Sequence, residues 1–257
     1  MSCFESEIFN KAAEYYDRFR PSYPQEIINI LINETAITQG SKLLEIGAGS
    51  GKATSQFASK GFDILCIEPG EDLVRIGNKR FENDTIEFRL GRFEETDLPK
   101  ENFDLVFAAQ SFHWIPQPAG FKKCHDILKT QGNLAILYNM YLIEDNEQDR
   151  ELLRLSNKHG GFADFVTVKQ IDERIKLISS DVENSQRFTA VKVFKKYWVK
   201  EYTADEYYGF VLTGNKILQK SEEEKARIYE DIKCLADKFG GMITRAYLCV
   251  LYLAEKL

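Results

Sequence analysis

The pattern of apolar and polar positions along this chain predicts helices and strands in turn. Apolar residues recur at helical spacing over residues 3–19 until Pro21 halts the pattern, and Pro24 begins a second helix. Short apolar runs then alternate with helical segments, which predicts an α/β fold with a doubly wound, mostly parallel sheet covered by helices on both faces. The predicted strands of this part cover residues 42–46, 62–68, 86–90, 104–110 and 133–139.

The pattern changes after residue 140. Residues 141–186 contain charged helical stretches at 149–159 and 168–178 with few turn signals, which indicates a helical insertion over the sheet. Residues 191–202 and 243–254 are strand-like again. These two late strands are expected to close the sheet in antiparallel orientation.

Two helix starts are marked by capping boxes. Thr203 is followed three residues later by Glu206, and Ser221 by Glu224. The chain is therefore expected to form one domain in four parts. They are N-terminal helices over the site (1–35), a cofactor-binding core (36–140), a helical insertion or lid (141–186), and C-terminal strands and helices that complete the sheet (187–257).

Composition narrows the class of protein. The 257 residues are 44% hydrophobic, enough for a substantial core, and the net charge of −6 argues against nonspecific binding to nucleic acid. The five cysteines form no CxxC pair and do not cluster with the three histidines, so neither disulfides nor a structural metal is expected. No signal sequence and no apolar run of about 18 residues is apparent, which predicts a soluble, cytoplasmic protein.

A glycine-rich loop follows the first strand, with the sequence Gly47-Ala48-Gly49-Ser50-Gly51. Glycine allows positive φ and a close backbone approach to a ligand, and a following helix would offer free N–H groups. Glu68 ends the next strand 21 residues after Gly47, where a doubly wound fold places the carboxylate that accepts ribose hydroxyls. The loop and the acid together predict a nucleoside cofactor.

The loop departs from the dinucleotide pattern. A GxGxxG motif would have glycine where Lys52 stands, and Glu45 would repel a pyrophosphate while suiting a ligand that carries an ammonium group. An NAD-dependent oxidoreductase therefore remains only a weak alternative.

With these features the chain resembles the class I S-adenosylmethionine-dependent methyltransferases, which have a Rossmann-like fold. The segments at 15–21 (Tyr-Tyr-Asp-Arg-Phe-Arg-Pro), 67–70 (Ile-Glu-Pro-Gly) and 111–114 (Ser-Phe-His-Trp) are similar to the small-molecule "type 11" branch typified by trans-aconitate methyltransferases. The resemblance covers nearly the whole chain. It implies S-adenosylmethionine as cofactor and a small-molecule acceptor.

The resemblance also implies a set of site residues. The glycine loop would border the methionyl and ribose parts, Glu68 would bind the ribose hydroxyls, and Glu45 would orient the amino group directly or through water. Arg92 departs from the acid that the family usually carries beside adenine. The implied cofactor-binding residues are Arg20, Glu45, Gly47, Ala48, Gly49, Gly51, Glu68, Pro69, Leu73, Arg92, Phe93 and Gln110.

On the acceptor side the implied residues are Tyr16, His113 and Trp114, and each has a structural alternative. Tyr16 either faces the sulfonium through a cation–π contact or forms part of the core edge. His113 is either a general base or a packing residue beside Trp114. Arg20 either binds the cofactor carboxylate bidentately or caps the second helix. The catalytic residue stays open.

Two functions from different classes fit these features. The first is a methyltransferase that acts on a small acceptor such as a carboxylate, which is already ionised and needs no base. The second is a noncatalytic protein that binds the cofactor and regulates or scaffolds a partner. Turnover separates them.

Overall fold

The computed structural model describes residues 13–82 and 84–257, and within these ranges it contains one sheet of eight strands flanked by helices. Helix α1 covers the end of the predicted first helix, whose residues 3–12 lie outside the described part. The elements in chain order are α1 (Ala13–Phe19), α2 (Gln25–Thr35), β1 (Lys42–Ile46), β2 (Asp63–Glu68), α3 (Glu71–Arg80), β3 (Ile86–Leu90), β4 (Phe103–Ala109), α4 (Ala119–Ile127), β5 (Leu128–Ile143), α5 (Glu147–Lys158), β6 (Phe165–Thr167), α6 (Ile171–Asn184), β7 (Lys192–Thr203), α7 (Ala204–Leu212), α8 (Asn215–Leu218), α9 (Glu222–Lys238) and β8 (Met242–Glu255).

The sheet has the strand order β3-β2-β1-β4-β5-β8-β7, with β6 beside the far end of β5. Strands β1 to β5 are parallel, whereas β8 runs antiparallel to both β5 and β7. This confirms the expected fold, a mostly parallel Rossmann-like sheet closed by antiparallel C-terminal strands. The register pairs Ile46 with both Ile67 and Ala108, so the loops after β1, β2 and β4 meet at one edge.

Both faces of the sheet are buried. Leu43 packs in one cluster with Ile28 of α2, while its neighbour Leu44 packs in another with Phe121 of α4 and Val182 of α6. Strands buried on both faces show continuous apolar runs, which explains why the sequence pattern located them. The insertion helix α6 therefore covers the sheet, as predicted.

The insertion is tied to the C-terminal part by charged contacts. Arg245 of β8 donates to Asp149 in the first turn of α5 and to the Leu142 carbonyl, and both partners of this ion pair are buried. Because a buried charge that loses its partner is costly, this pair fixes α5 against the sheet. The capping boxes predicted at Thr203 and Ser221 are confirmed at the starts of α7 and α9.

Three local features differ from the predictions. No long helix follows the glycine loop; the chain forms a 3₁₀ turn at Thr54–Gln56, where the Thr54 and Ser55 hydroxyls bind Glu45 and the Lys52 carbonyl. Such side-chain contacts compete with regular helix. Strand β5 is longer than the predicted 133–139 because β8 and β6 pair along it, and the insertion contains the short strand β6.

None of the helices in the ranges 13–82 and 84–257 has the length and apolar character needed to cross a membrane. In the same ranges, no three histidine, cysteine or acidic side chains come together in a group that could hold a metal ion.

Candidate active site

A cavity of about 940 Å³ lies at the carboxyl ends of β1, β2, β4 and β5. Its volume is at the upper end of the range of small-molecule sites, roughly 300–1,000 Å³. Helix α1 and the insertion complete its wall. The predicted residues that line it are Tyr16, Arg20, Gly47, Gly49, Glu68, Pro69, Leu73, Arg92, Phe93, Gln110, His113 and Trp114. The strand order and register thus bring together most of the residues that the sequence singled out.

Two glycines of the loop have direct reasons to lack a side chain. Gly47 and Gly49 have φ of 64° and 59°. A Cβ on Gly47 would lie 2.6 Å from the Ser111 Cβ, and one on Gly49 would lie 3.2 Å from the Tyr16 ring. The Gly47 N–H is held by the Ile67 carbonyl at 2.8 Å. The loop backbone is therefore fixed in place and bare on the side that faces the cavity.

The other two loop residues predicted at the site lie elsewhere. Gly51 has φ of 86°, and a Cβ there would lie 2.5 Å from Phe81 and 2.9 Å from Phe88. Gly51 is thus a packing position, and it is not part of the cavity wall. Ala48 is buried and borders a separate side chamber. The expected cofactor contact of Gly51 is not supported by this placement, because the need for glycine arises from the aromatic pair behind the loop.

Glu68 faces the cavity with its carboxylate held by backbone amides. Its Oε2 accepts from the Gly49 N–H at 2.8 Å, and its Oε1 accepts from the Gly70 N–H at 2.9 Å. Burial raises the pKa of Glu68 to about 7, against the lowering effect of these two hydrogen bonds. Each oxygen keeps a further lone pair, so the carboxylate can accept two more hydrogen bonds from a ligand.

Glu45 lies in the side chamber, next to the main cavity. It is 1% exposed and accepts a short hydrogen bond from the Thr54 hydroxyl. Burial raises the pKa of Glu45 to about 8, and the charge of Glu68 contributes to the rise. The chamber has a volume of about 30 Å³ and is bordered by Tyr16 and Arg20 as well. That volume suffices for one water molecule, so contact between Glu45 and a ligand through water is geometrically feasible.

Arg20 is a half-buried cation between the cavity and the side chamber. Its Nη1 donates to the Tyr141 hydroxyl at 2.7 Å, and the guanidinium lies 5.6 Å and 5.3 Å from the Tyr16 and Phe210 ring centroids. Its Nε is buried without a hydrogen-bond partner among the residues that the structure describes. These contacts do not cap α2. An unpaired buried N–H beside a cavity is available to donate a hydrogen bond to an anionic group of a ligand.

The loop after β3 forms one end of the cavity. Phe93 is buried and lines the wall together with Arg92, opposite Pro69 and Leu73. The Gly91 N–H donates to the Glu68 carbonyl at 3.0 Å, which ties this loop to the end of β2.

Lys123 of α4 fixes the same loop and was not found from the sequence. Its ammonium donates to the carbonyls of Phe93 and Thr96, both at 2.5 Å, and to that of Glu94 at 3.3 Å. It also lies 5.0 Å from the Phe93 ring centroid. The contacts join residues 27 to 30 positions apart, so no local sequence signal pointed to them.

Gln110 has a strained backbone at the end of β4. Its φ is 60°, which is uncommon for a residue with a side chain and is concentrated at functional sites. Its Nε2 donates to the Asn139 carbonyl at 2.9 Å, and the buried Asn139 side chain donates to the Ser22 carbonyl at 3.0 Å. Asn139 thus connects the end of β5 to the segment after α1, another contact that the sequence did not reveal.

His113 stands beside Trp114 and Tyr138 at the cavity wall. The His113 ring centroid lies 4.8 Å from that of Trp114, and its Nδ1 lies 3.4 Å from the Tyr138 hydroxyl. Partial burial lowers the pKa of His113, with Asp164 opposing the shift. The imidazole is therefore neutral at pH 7 and available as a base, while its contacts are those of a packing residue. Both interpretations of His113 remain compatible with its position.

The insertion supplies the far wall of the cavity. Gly161, Asp164, Arg174 and Asp181 lie on this wall, and Lys216 of α8 lies near Gly161. Arg174 pairs with Asp164 at 2.8 Å. None of these residues was predicted, because their place in the site depends on how the insertion folds back.

Comparison with known proteins assigns the family. The family model described as a methyltransferase domain matches residues 44–136. An uncharacterized methyltransferase of Staphylococcus carnosus is 31% identical over 153 residues, which cover 56% of this chain and 72% of that protein. The chain belongs to the methyltransferase family. The expected S-adenosylmethionine-dependent methyltransferase is thereby confirmed at the level of the family, whereas the likeness to trans-aconitate methyltransferases stays a prediction. The methyltransferase spans about half the length of several other curated relatives that it matches.

Solved structures share the fold of this methyltransferase. A candidate type II methyltransferase from Anaeromyxobacter dehalogenans has a TM-score of 0.66 at 17% identity and covers 92% of this chain and 98% of its own. Phosphoethanolamine N-methyltransferase 2 of Haemonchus contortus, solved with S-adenosyl-L-methionine, has a TM-score of 0.53 at 16% identity and covers 98% of this chain and 57% of its own. These likenesses establish the fold alone.

Proposed function

We propose that the methyltransferase binds S-adenosylmethionine across the ends of β1 and β2 and transfers its methyl group to a small molecule bound under the insertion. The observation that carries the proposal is Glu68, a buried carboxylate at the cavity wall with lone pairs free for two ribose hydroxyls. When bound, the cofactor supplies a methyl group activated by a sulfonium.

The residues around Glu68 fit the remaining parts of that cofactor. Arg20 offers an unpaired buried N–H to the carboxylate, and Glu45, whose pKa burial raises to about 8, can release its proton and offer a negative charge to the ammonium across the side chamber. Phe93 and Leu73 line an apolar end suited to adenine. The ring of Tyr16 covers Gly49, where a cation would gain on the order of 1 kcal/mol from the aromatic face.

Methyl transfer is an in-line displacement that needs alignment and exclusion of water more than a protein nucleophile. Holding two reactants in line supplies up to about 7–11 kcal/mol in the best cases. In this protein Glu68 and Arg20 hold the two ends of the cofactor, and the insertion covers the acceptor. A carboxylate acceptor is already ionised, while a hydroxyl acceptor would need a base, for which His113 is the available group.

Isothermal titration with S-adenosylmethionine tests the binding half of the proposal. Glu68→Gln removes the charge but keeps one acceptor oxygen. It should raise Kd by roughly 10- to 100-fold, the change expected when hydrogen bonds to a charged group are lost. Glu71→Gln is the matched control, since Glu71 is exposed three residues later and lies outside the cavity wall. The absence of binding to the wild-type protein would refute the proposal.

Turnover separates the enzyme from a noncatalytic cofactor-binding protein. S-adenosylhomocysteine release is measured over a panel of acids, phenols and amines. If the protein binds the cofactor yet no acceptor gives product, the noncatalytic function is favoured. In an active assay, His113→Ala should retain activity within a few-fold if His113 packs, and should lose about 100-fold or more if it is the base.

A further inference from the structure

The end of helix α3 carries an arginine that joins two parts of the cofactor end of the site. Arg80 is the last residue of α3, and its Nη1 donates to the Ser50 carbonyl at 2.9 Å. Its Nη2 donates to both carboxylate oxygens of Asp17 on α1, at 2.6 Å and 2.8 Å. One guanidinium therefore binds the glycine loop and the N-terminal helix at the same time.

The ion pair itself lies outside the cavity. In the part of the chain that the structure describes, the residues that line the cavity do not include Arg80 or Asp17. Their side chains are 32% and 24% exposed, so solvent and salt screen this pair less than a fully exposed one. Any effect of the pair on a ligand must therefore act through the residues that it holds in place.

Apolar packing contributes little to the position of α1 over the loop. Of the residues Ala13–Phe19, Ala13 alone is buried, and Tyr15 is 45% exposed. Phe19 packs on Gly209 of α7, where an added Cβ would lie 2.4 Å from its ring. Because apolar stabilisation grows with the area removed from water, the polar contact with Arg80 is an important restraint on the side of α1 that faces the loop.

The position of α1 matters because two residues of the site move with it. Tyr16 directly precedes Asp17, and its ring covers Gly49. Arg20 follows Asp17 by three residues, and its buried Nε has no partner among the described residues. Both side chains border the side chamber that contains Glu45. A shift of about 1 Å in groups that position a substrate can cost roughly 100-fold in rate.

We propose that Arg80 is a positioning residue for cofactor binding, which holds α1 against the glycine loop so that Tyr16 and Arg20 face the methionyl part of the cofactor. This assignment rests on the proposed function. In the proposed complex the ribose is bound by Glu68, whose carboxylate is fixed by backbone N–H groups of the loop and of the residue before α3. Loss of the ion pair therefore weakens binding of the methionyl part more than binding of the adenosine part.

Two probes separate these parts of the cofactor in titration calorimetry. S-adenosylhomocysteine contains the amino-acid part, and 5′-methylthioadenosine lacks it. Asp17→Ala removes the ion pair but leaves the contact between Arg80 and Ser50. It should raise Kd for S-adenosylhomocysteine roughly five- to tenfold, the low end of couplings between a ligand and a separate group, and change Kd for 5′-methylthioadenosine less than about twofold.

Arg80→Met should weaken S-adenosylhomocysteine binding at least as much as Asp17→Ala. The double variant should bind no more weakly than Arg80→Met, because the two side chains act as one unit and the pair is already broken in either single variant. Losses that add in the double variant would show that the two residues act independently, which would overturn the inference.

Arg75→Met is the matched control. Arg75 lies on the same helix and pairs with Asp72 at 3.1 Å, but both of these side chains are more exposed. Its Kd values for both probes should equal those of the wild-type protein.

A merely structural role of the ion pair would lower Tm without changing the ratio of the two Kd values. That result, or equal loss of both probes in Asp17→Ala, would overturn the inference while leaving the proposed function intact. Failure of the wild-type protein to bind S-adenosylhomocysteine would refute the proposed function and this inference with it.

Discussion

Cofactor binding should weaken as the pH falls from 8 to 6, because Glu68 takes up a proton in that interval. Burial holds the pKa of Glu68 near 7, well above its usual value, although the Gly49 and Gly70 N–H groups favour the charged form. In the proposed complex the ribose hydroxyls donate to this carboxylate, and charge-assisted hydrogen bonds are about twice as strong as neutral ones. The ionised form is therefore the form that binds.

The magnitude follows from that pKa. About a tenth of Glu68 is ionised at pH 6 and about nine-tenths at pH 8, so affinity should rise by up to about tenfold across the interval, or about 1.4 kcal/mol. A rise larger than this would require a second group to release a proton on binding. Glu45, whose pKa burial raises to about 8, is the candidate.

The assay uses 5′-methylthioadenosine, which contains the adenine and ribose but neither the ammonium nor the carboxylate of the cofactor. The pH dependence of its Kd therefore reports on Glu68 without contributions from the groups that Arg20 and Glu45 would contact. Glu68→Gln should bind it more weakly and with the same Kd at pH 6 and 8, while Glu71→Gln should behave like the wild-type protein. A flat wild-type profile, or a slope that survives in Glu68→Gln, would show that Glu68 does not control ribose binding.

Four further substitutions probe other parts of the site. Glu45 keeps its proton in the folded state up to a pKa of about 8 but releases it near 4.5 when unfolded, so the ligand-free protein should lose stability as the pH rises through this window. Glu45→Gln should reduce the loss of stability between pH 4.5 and pH 8.5 by up to about 5 kcal/mol, because burial raises the pKa of Glu45 from 4.5 to about 8, and thermal denaturation should then show a shallower pH profile of Tm; an unchanged profile would contradict the assignment. Gly49→Ala should chiefly weaken cofactor binding, because the added Cβ contacts the Tyr16 ring at the cavity. Gly51→Ala should chiefly lower Tm, because its added Cβ contacts the buried rings of Phe81 and Phe88. Calorimetry with the cofactor and thermal denaturation, applied to both variants, test this difference. Lys123→Met should loosen the loop at residues 93–96 and raise Kd for S-adenosylhomocysteine several-fold with kcat nearly constant, and a change in kcat alone would contradict it.

The core of the fold could be predicted because its signals are local. β1, β2 and β4 are buried on both faces, so each appears as an apolar run with turn residues at its ends. β6 could not be predicted, since it has three residues and exists only because the extended end of β5 offers it a partner. The 3₁₀ turn after the glycine loop was missed for a related reason, because Thr54 binds Glu45, a residue on another element.

The cofactor end of the site was predictable for the same physical reason as the sheet. Gly47 directly follows β1 and Glu68 ends β2. Because these two strands are adjacent and parallel, their hydrogen-bond register alone brings the two residues together. Arg20 was a candidate from its motif, but its contact with Tyr141 spans 121 positions and could be seen only in the structure. Lys123 has no motif and was found only by its carbonyl contacts.

The two ends of the cavity are stabilised by different kinds of contact, and they should therefore differ in how readily substitutions change their shape. The cofactor end is held by backbone hydrogen bonds, such as those from Gly49 and Gly70 to Glu68, whose geometry tolerates little substitution. The opposite end of the cavity is bounded by α6, which packs on the sheet through apolar side chains including Ile175 and Val182. Apolar packing fixes volume and spacing but imposes no particular side chain on the exposed positions of the helix. Substitutions on the cavity side of α6, such as at Leu177, are therefore expected to change the shape of this end of the cavity without disturbing the loop that holds Glu68, so the fold by itself does not fix the substrate.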